Sequence, residues 1–466
     1  MSNDFRDPGA YITQGPQDWQ VFQRGADGTA AVRLAGVWTP DPALKPEPAC
    51  TVEARVVLED TARPPCAACD WRDAAAAGHH AWEVTLDGIP AGGLYRIETR
   101  LRQGTDPWRL TGDRVFHVAV GDLWAIAGQS NAAGYGRGAA DDPISLGVHI
   151  YAADLRWKLA AHPLHDTTRT AHPVNRDAGC IDHTPWLSFA RQIYDTTGVP
   201  IGLLPVALGG SPLSAWDPGE ASPALYTNMM EVIRQAGGMI AGMVWYQGES
   251  DAGPELAPSY AARFRRFVEG LRRDLRSPGL PVLTAQINRV DGNFVPLRDR
   301  FWGMVREAQR QVARSIPGVA VLPTLDLPLS DLVHTSAAGN MVLAERFARA
   351  ALAMVYAMPT AYKAPDIARA ALSADRLTVT LEFDNVRGWL TPHQSPIAEF
   401  IVEDADGEVP LAETAASGST VALKLARPPK GSARVHGALS PNPQIGLRDE
   451  DQRPILGFCD VPLQSA

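Results

Sequence analysis

Three side chains far apart in the chain have the types and settings that acyl transfer needs. Ser130 sits in Gly128-Gln129-Ser130-Asn131, a polar turn directly after the apolar run 123–127. An apolar run ending in a Gly-led turn is the mark of a buried parallel strand, and ligands bind just beyond the carboxyl ends of such strands. A serine there is exposed at the mouth of a crevice and available as a nucleophile. The plainer reading is a helix cap, which Ser after a strand and turn often is. Asp331 and His334 lie three apart in Asp331-Leu332-Val333-His334. On a loop, that spacing lets the carboxylate reach the imidazole Nδ1 and fix its tautomer, leaving Nε2 free to take a proton from a hydroxyl. A serine hydroxyl is a weak nucleophile until such a base is within reach. Taken alone, His334 would sooner cap the following helix and Asp331 close a turn.

Acyl transfer also needs hydrogen-bond donors aimed at the developing oxyanion, each worth about 10²–10³ in rate. Gly209-Gly210 in the stretch 207–216 offers backbone N–H groups free of side chains, and Gln247 in the stretch 245–251 offers an amide. A glycine pair is more often a tight turn, and Gln or Glu after a strand more often holds a loop. The argument rests on coincidence. Four polar loops, each directly after an expected parallel strand, together carry a nucleophile, donors, a base and its carboxylate.

The elements that must position these residues follow from periodicity. Residues 31–38, 51–58, 81–86, 94–101 and 114–120 mostly alternate apolar with polar, the period of a half-buried antiparallel sheet. They predict a small β-sandwich over residues 1–120, with Val120-Gly121 as the joint to the next domain. From Asp122 the pattern turns to strand and helix in alternation. Strands are expected at 123–127, 148–151, 201–207, 240–246, 281–287 and 319–322. One helix between them is punctuated by Thr184 as cap, Pro185 at its first position and Gly198 after its end; a second begins at Ser222-Pro223 and closes at Gly237. Further helices are expected over 260–276, 301–314 and 337–356. Alternation of this kind predicts a mostly parallel sheet covered on both faces over 121–358. After Pro359 the period returns to two at 377–383, 397–402 and 420–425, which predicts a C-terminal β domain over 359–466.

Composition bounds the rest. At 466 residues the chain is too long for one core, and its 45% hydrophobic and 20% charged content is that of a globular protein. A formal charge of −9 excludes a nucleic-acid partner, which needs clustered positive charge. The arginines between 263 and 276 recur at helical spacing and read as a solvated helix face. No apolar run approaches the ~20 residues of a membrane span. The first residues, Met-Ser-Asn-Asp-Phe-Arg-Asp, lack a basic segment followed by an apolar core. That predicts a cytoplasmic protein, or a periplasmic or secreted one if a signal has been removed. The five cysteines form no disulfide framework. Cys66 and Cys69 predict a loop with two free thiols or one local bridge. His162, His165, His172 and His183 lie among Asp166, Asp177 and Asp182, but their spacings match no closed ligand set. A long loop walling the substrate crevice is expected there, with no metal. Arg156, Arg176 and Arg289 are possible partners of a substrate carboxylate, and Trp216, Trp245 and Tyr246 read as sugar platforms or as core.

Gly128-Gln-Ser-Asn131, Gly209-Gly-Ser-Pro-Leu-Ser-Ala-Trp216, Gln247-Gly-Glu-Ser-Asp251 and Asp331-Leu-Val-His334 resemble, in the right order, the sequence blocks of the SGNH hydrolase superfamily. More narrowly they resemble its sialate O-acetylesterase-like branch of carbohydrate esterases, over roughly residues 121–357. The resemblance implies a three-layer α/β/α, flavodoxin-like hydrolase domain flanked by two β-sandwich-like domains. It implies hydrolysis of O-acetyl esters on sugars, without a cofactor, with Ser130 as nucleophile, His334 as base and then acid, and Asp331 as orienter. It further implies an oxyanion hole made by Ser130 N–H, a glycine N–H of Gly209-Gly210 and the Gln247 amide. Gln129, Asn131 and Glu249 are implied as supports. Ala132 stands where this branch often has methionine. The expected partner is an acetylated carbohydrate, with no nucleic acid and no membrane; the oligomeric state is open. The rival readings are a lipase- or thioesterase-like esterase of the same superfamily and a carbohydrate-binding protein without catalysis.

Overall fold

The computed structural model describes residues 7–44, 46–177, 179, 181–292, 299–393 and 397–465. Residues 1–6, which enter the reading of a signal, lie outside these. The chain is a mixed α/β protein built around one long strand, Arg109–Gly128. Its first part pairs antiparallel with Gly92–Gln103, which in turn pairs with Cys50–Leu58. Its second part lies parallel between Ile201–Pro205 and Gly242–Tyr246. The antiparallel and parallel regions therefore belong to a single sheet. Val120-Gly121, expected as a joint, lies inside this strand, and the expected strand 123–127 is its end. The reason is local: every residue from Val118 to Gly128 is buried, and the one charged side chain among them, Asp122, is held by Arg24 and Gln23 instead of turning the chain to solvent. At Gly121 a Cβ would meet Pro200 O at 1.9 Å, so the neighbouring backbone closes in as well.

The parallel part runs in the order Val148–Tyr151, Ile201–Pro205, Arg109–Gly128, Gly242–Tyr246, Val282–Ala285, Val319–Leu322, with Trp157–Leu159 antiparallel at one edge. The chain steps outward on one side of the long strand and then crosses to its other side. The carboxyl end of that strand is consequently where the strand order switches, the place at which open α/β sheets hold ligands. After a short α1 Ser130–Ala133, four helices connect these strands, α2 Trp186–Thr197, α3 Ala224–Gln235, α4 Tyr260–Asp274 and α5 Phe301–Ser315, and α6 Ala337–Met354 follows the last of them. Helices α2 and α6 pack together, as do α4 and α5. Helix α2 uses its expected punctuation, with Thr184 Oγ1 accepting from Trp186 N–H at 3.2 Å and Gly198 ending it at φ +70°.

Buried apolar side chains form three clusters. One joins Ala10, Leu34, Trp82 and Ile97 of the N-terminal strands. The largest surrounds the parallel sheet, and the third lies among the C-terminal strands, with Leu325 contributed from outside them. Trp216, Trp245 and Tyr246 are fully buried in the largest cluster, which makes them core rather than sugar platforms. Arg272 is also buried, donating to Leu280 O and Pro317 O, so the arginine-bearing face of α4 is only partly solvated.

Candidate active site

The long strand delivers its last residue into a tight space. Gly128 has φ +128°, and a Cβ there would lie 2.1 Å from Tyr246 O. Only glycine lets the chain pass this close to the neighbouring strand and turn at once into α1. Ser130 opens α1 and is 7% exposed. Its Oγ lies 2.9 Å from His334 Nε2, and His334 Nδ1 lies 2.7 Å from Asp331 Oδ2. Asp331 Oδ1 also accepts the N–H groups of Val333 (3.0 Å) and His334 (2.9 Å). Burial alone would raise the Asp331 carboxyl, but the Val333 N–H, the His334 ring and the His334 N–H outweigh it and hold it below the usual value. Ser130 and a pair some two hundred positions further on thus form one relay of hydroxyl, imidazole and carboxylate.

The supports lock the two loops together. Asn131 Nδ2 donates to Glu249 Oε1 at 2.7 Å, and Asn131 Oδ1 accepts Thr335 N–H at 3.0 Å. Asn131 therefore ties the serine turn to the histidine loop on one side and to the Gly242–Tyr246 strand end on the other. Gln129 Oε1 accepts the N–H groups of Gly248 (3.3 Å) and Ser250 (3.1 Å). Glu249 Oε2 is buried without a hydrogen-bond partner, and burial pushes the carboxyl up to about 7.

The expected oxyanion donors divide. Gln247 is fully buried, and its Nε2 donates to Ser211 O (3.1 Å) and Asp251 Oδ2 (2.5 Å). Both of its N–H bonds are spent, one on the glycine loop and one on its own, so it has none left for an ester, contrary to expectation. Asp251 closes the 247–251 block, but the likeness assigned it no part, and it claims this amide. Gly209 N–H donates to Asp177 Oδ2 at 2.8 Å and is likewise occupied. Gly210 is different: its N–H has no hydrogen-bond partner among the described residues, and at φ +68° a Cβ would meet nothing within 4 Å. The Nε2 of Gln129 also has no hydrogen-bond partner among the described residues, while its Oε1 is pinned.

Two residues to which the sequence reading gave no individual role lie beside the relay, Asp177 within the loop expected to wall the crevice. Tyr135 packs its ring 4.9 Å from that of His334 and donates its hydroxyl to Asp177 Oδ1. Asp177 thus bridges the serine segment and the glycine loop. Tyr135 had a signal in its place five residues after Ser130, but Asp177 had none among the many acids of its loop. Arg289 donates to Leu325 O at 2.9 Å. Cys66 and Cys69 are free thiols 2.8 Å apart, away from the site.

Residues 120–353 match the model of a family described as carbohydrate esterase, sialic acid-specific acetylesterase. The chain is 30% identical to a probable carbohydrate esterase of Arabidopsis thaliana, across 50% of this chain and 92% of that protein. It is 26% identical to the sialate O-acetylesterase of Homo sapiens, across 47% of this chain; it spans only 50% of the human protein's length. The fold is similar to that of a carbohydrate acetylesterase from Xanthomonas citri, with a TM-score of 0.68 and 21% identity, over 95% of this chain and 97% of that one.

Proposed function

The chain belongs to the sialic acid-specific acetylesterase family of carbohydrate esterases, and from that membership we propose that it removes acetyl groups from sugar hydroxyls through a serine acyl-enzyme. The observation that carries the reading is the relay from Ser130 Oγ to His334 Nε2 at 2.9 Å and from His334 Nδ1 to Asp331 at 2.7 Å. Ser130 Oγ attacks the ester carbonyl as His334 takes its proton; Asp331 holds the ring and stabilises the imidazolium. The imidazolium then protonates the departing sugar alcohol. Water attacks the acetyl-serine with His334 again as base, releasing acetate. The oxyanion is held by the N–H groups of Ser130 and Gly210, and by the amide of Gln129 in the role expected of Gln247. The pinned Oε1 and unpartnered Nε2 of Gln129 support that exchange.

In this reading residues 121–358 are a three-layer SGNH hydrolase domain, and 1–120 and 359–466 are β-sandwich-like flanks. The three separate apolar clusters support the division. Acetate release from an aryl acetate and from a panel of acetylated glycans tests the function. Ser130→Ala is expected to lower kcat by roughly 10⁴-fold or more with an unchanged circular dichroism spectrum. Equal rates for the two proteins would overturn the serine mechanism, and the best glycan identifies the substrate class.

A further inference from the structure

Asp142, His162 and His183 converge on one point beside the serine turn, on a loop, a second loop and the segment before α2. His162 Nε2 lies 2.9 Å and His183 Nε2 3.5 Å from the same Asp142 oxygen, Oδ2. The three ligand atoms all lie within 4.8 Å of one another. The imidazoles stack with centroids 4.2 Å apart and planes 26° apart, so both present Nε2 to one side. His183 is 6% exposed, and its Nε2 has no hydrogen-bond partner among the described residues although it faces the carboxylate.

We propose that these three residues bind a divalent transition-metal ion of the zinc class. Two ligands about 2.0–2.2 Å from zinc at a tetrahedral angle stand roughly 3.3–3.6 Å apart; the His183–Asp142 separation of 3.5 Å matches this, and His162, at 2.9 Å, exchanges its hydrogen bond to Asp142 for the metal by moving back about half an ångström. Two imidazoles and one carboxylate favour zinc or its neighbours over magnesium and calcium, which take oxygen. Water fills the remaining position. Arg191 Nη2, 3.1 Å from Asp142 Oδ1, holds the ligating carboxylate from behind. Metal on His183 Nε2 puts the ring proton on Nδ1. Asn340 Nδ2 is 3.4 Å from that atom, and Asn340 Oδ1 is buried without a partner. Turning the amide presents Oδ1 as acceptor, at the expense of its bond to His183 O. The alternative for the same residues is a metal-free ionic network around Asp142.

The ion would pin the loop of Asp142 to the segment of His183, whose backbone pairs with Gly136 just beyond the serine turn. No step of ester hydrolysis passes through it, so the proposal stands or falls apart from the esterase reading. The test is zinc uptake by the full chain, followed by elemental analysis after dialysis, competition with a chromophoric chelator, and imidazole NMR. Expected are about one zinc per chain, shifted His162 and His183 ring resonances, and no competition from magnesium. Asp142→Asn and His183→Ala should each weaken binding at least ~10-fold, while Cys66→Ser leaves it unchanged. Absence of uptake by the wild type overturns the site. So do uptake that survives both ligand variants, uptake that disappears with Cys66→Ser, and unmoved histidine resonances, which need no variant to fold.

Discussion

At the scale of single residues, the catalytic chemistry depends on groups whose hydrogen bonds are already committed. Gln129→Glu keeps the acceptor that Gly248 and Ser250 use but removes the donor. If Gln129 faces the oxyanion, kcat for an acetyl ester drops by about 10²–10³ with KM little changed; an unchanged kcat would strike Gln129 from the oxyanion hole. Glu249 makes a different prediction, one about stability. Burial raises its carboxyl to about 7 in the fold, against ~4.3 for an ordinary glutamate. The stability linked to this group is thus complete below about pH 4.3, declines as the pH rises, and is lost once it passes 7. Glu249→Gln keeps an oxygen for Asn131 and removes the titration. Its Tm should gain on that of the wild type from pH 5 to pH 8 and match it near pH 4. A Tm difference independent of pH would mean that Glu249 does not titrate in this range.

At the scale of elements, the site is a property of strand ends. Gly128→Ala forces a side chain onto the Tyr246 carbonyl at a φ that L-residues rarely adopt. It should cost about 1–3 kcal/mol of stability by denaturant titration and displace Ser130 from His334, with acetate release falling steeply. Wild-type rates in the variant would show that the turn tolerates a Cβ. The helices were legible: α3, α4 and α5 begin within one residue of expectation, α3 after its Ser222-Pro223 signal. The long strand was legible only in pieces. Its first part alternates and its second is an apolar run, the patterns of two different elements. Hydrogen bonding to Gly92–Gln103 and then to Ile201–Pro205 makes them one.

At the scale of the whole molecule, α5 and the C-terminal strands are held together by an arginine with no carboxylate in hydrogen-bond reach among the described residues. Arg306 is fully buried and donates to Ile287 O and Asn288 O on one side and to Ala438 O, Ser440 O and Pro441 O on the other. Its surroundings push the guanidinium down to about 9. Gln286 adds a pair of bonds to the backbone of Gly457. The same C-terminal edge reaches towards the histidine loop: Val290 N–H donates to Pro441 O and Asp291 N–H to Leu332 O. Arg306→Met leaves those carbonyls buried without donors and should lower unfolding free energy by about 3–5 kcal/mol. A loss under about 1 kcal/mol would mean that water replaces the guanidinium.

Sequence alone determined the residue types of the relay, the order of the blocks and the alternation of strand and helix. Each of these is written in local spacing, in turn residues or in a family likeness. Tertiary structure decided which donors are available. Gln247 and Gly209 carry the right groups, but Asp251, folded back four residues on, and Asp177, from a separate loop, occupy them, leaving Gly210 and Gln129. It also decided that Asp142, His162 and His183 meet, although no ligand spacing announces them. The reason is physical. A donor N–H is spent on whichever acceptor lies within about 3 Å of it, and which acceptor lies there depends on how the folded loops pack.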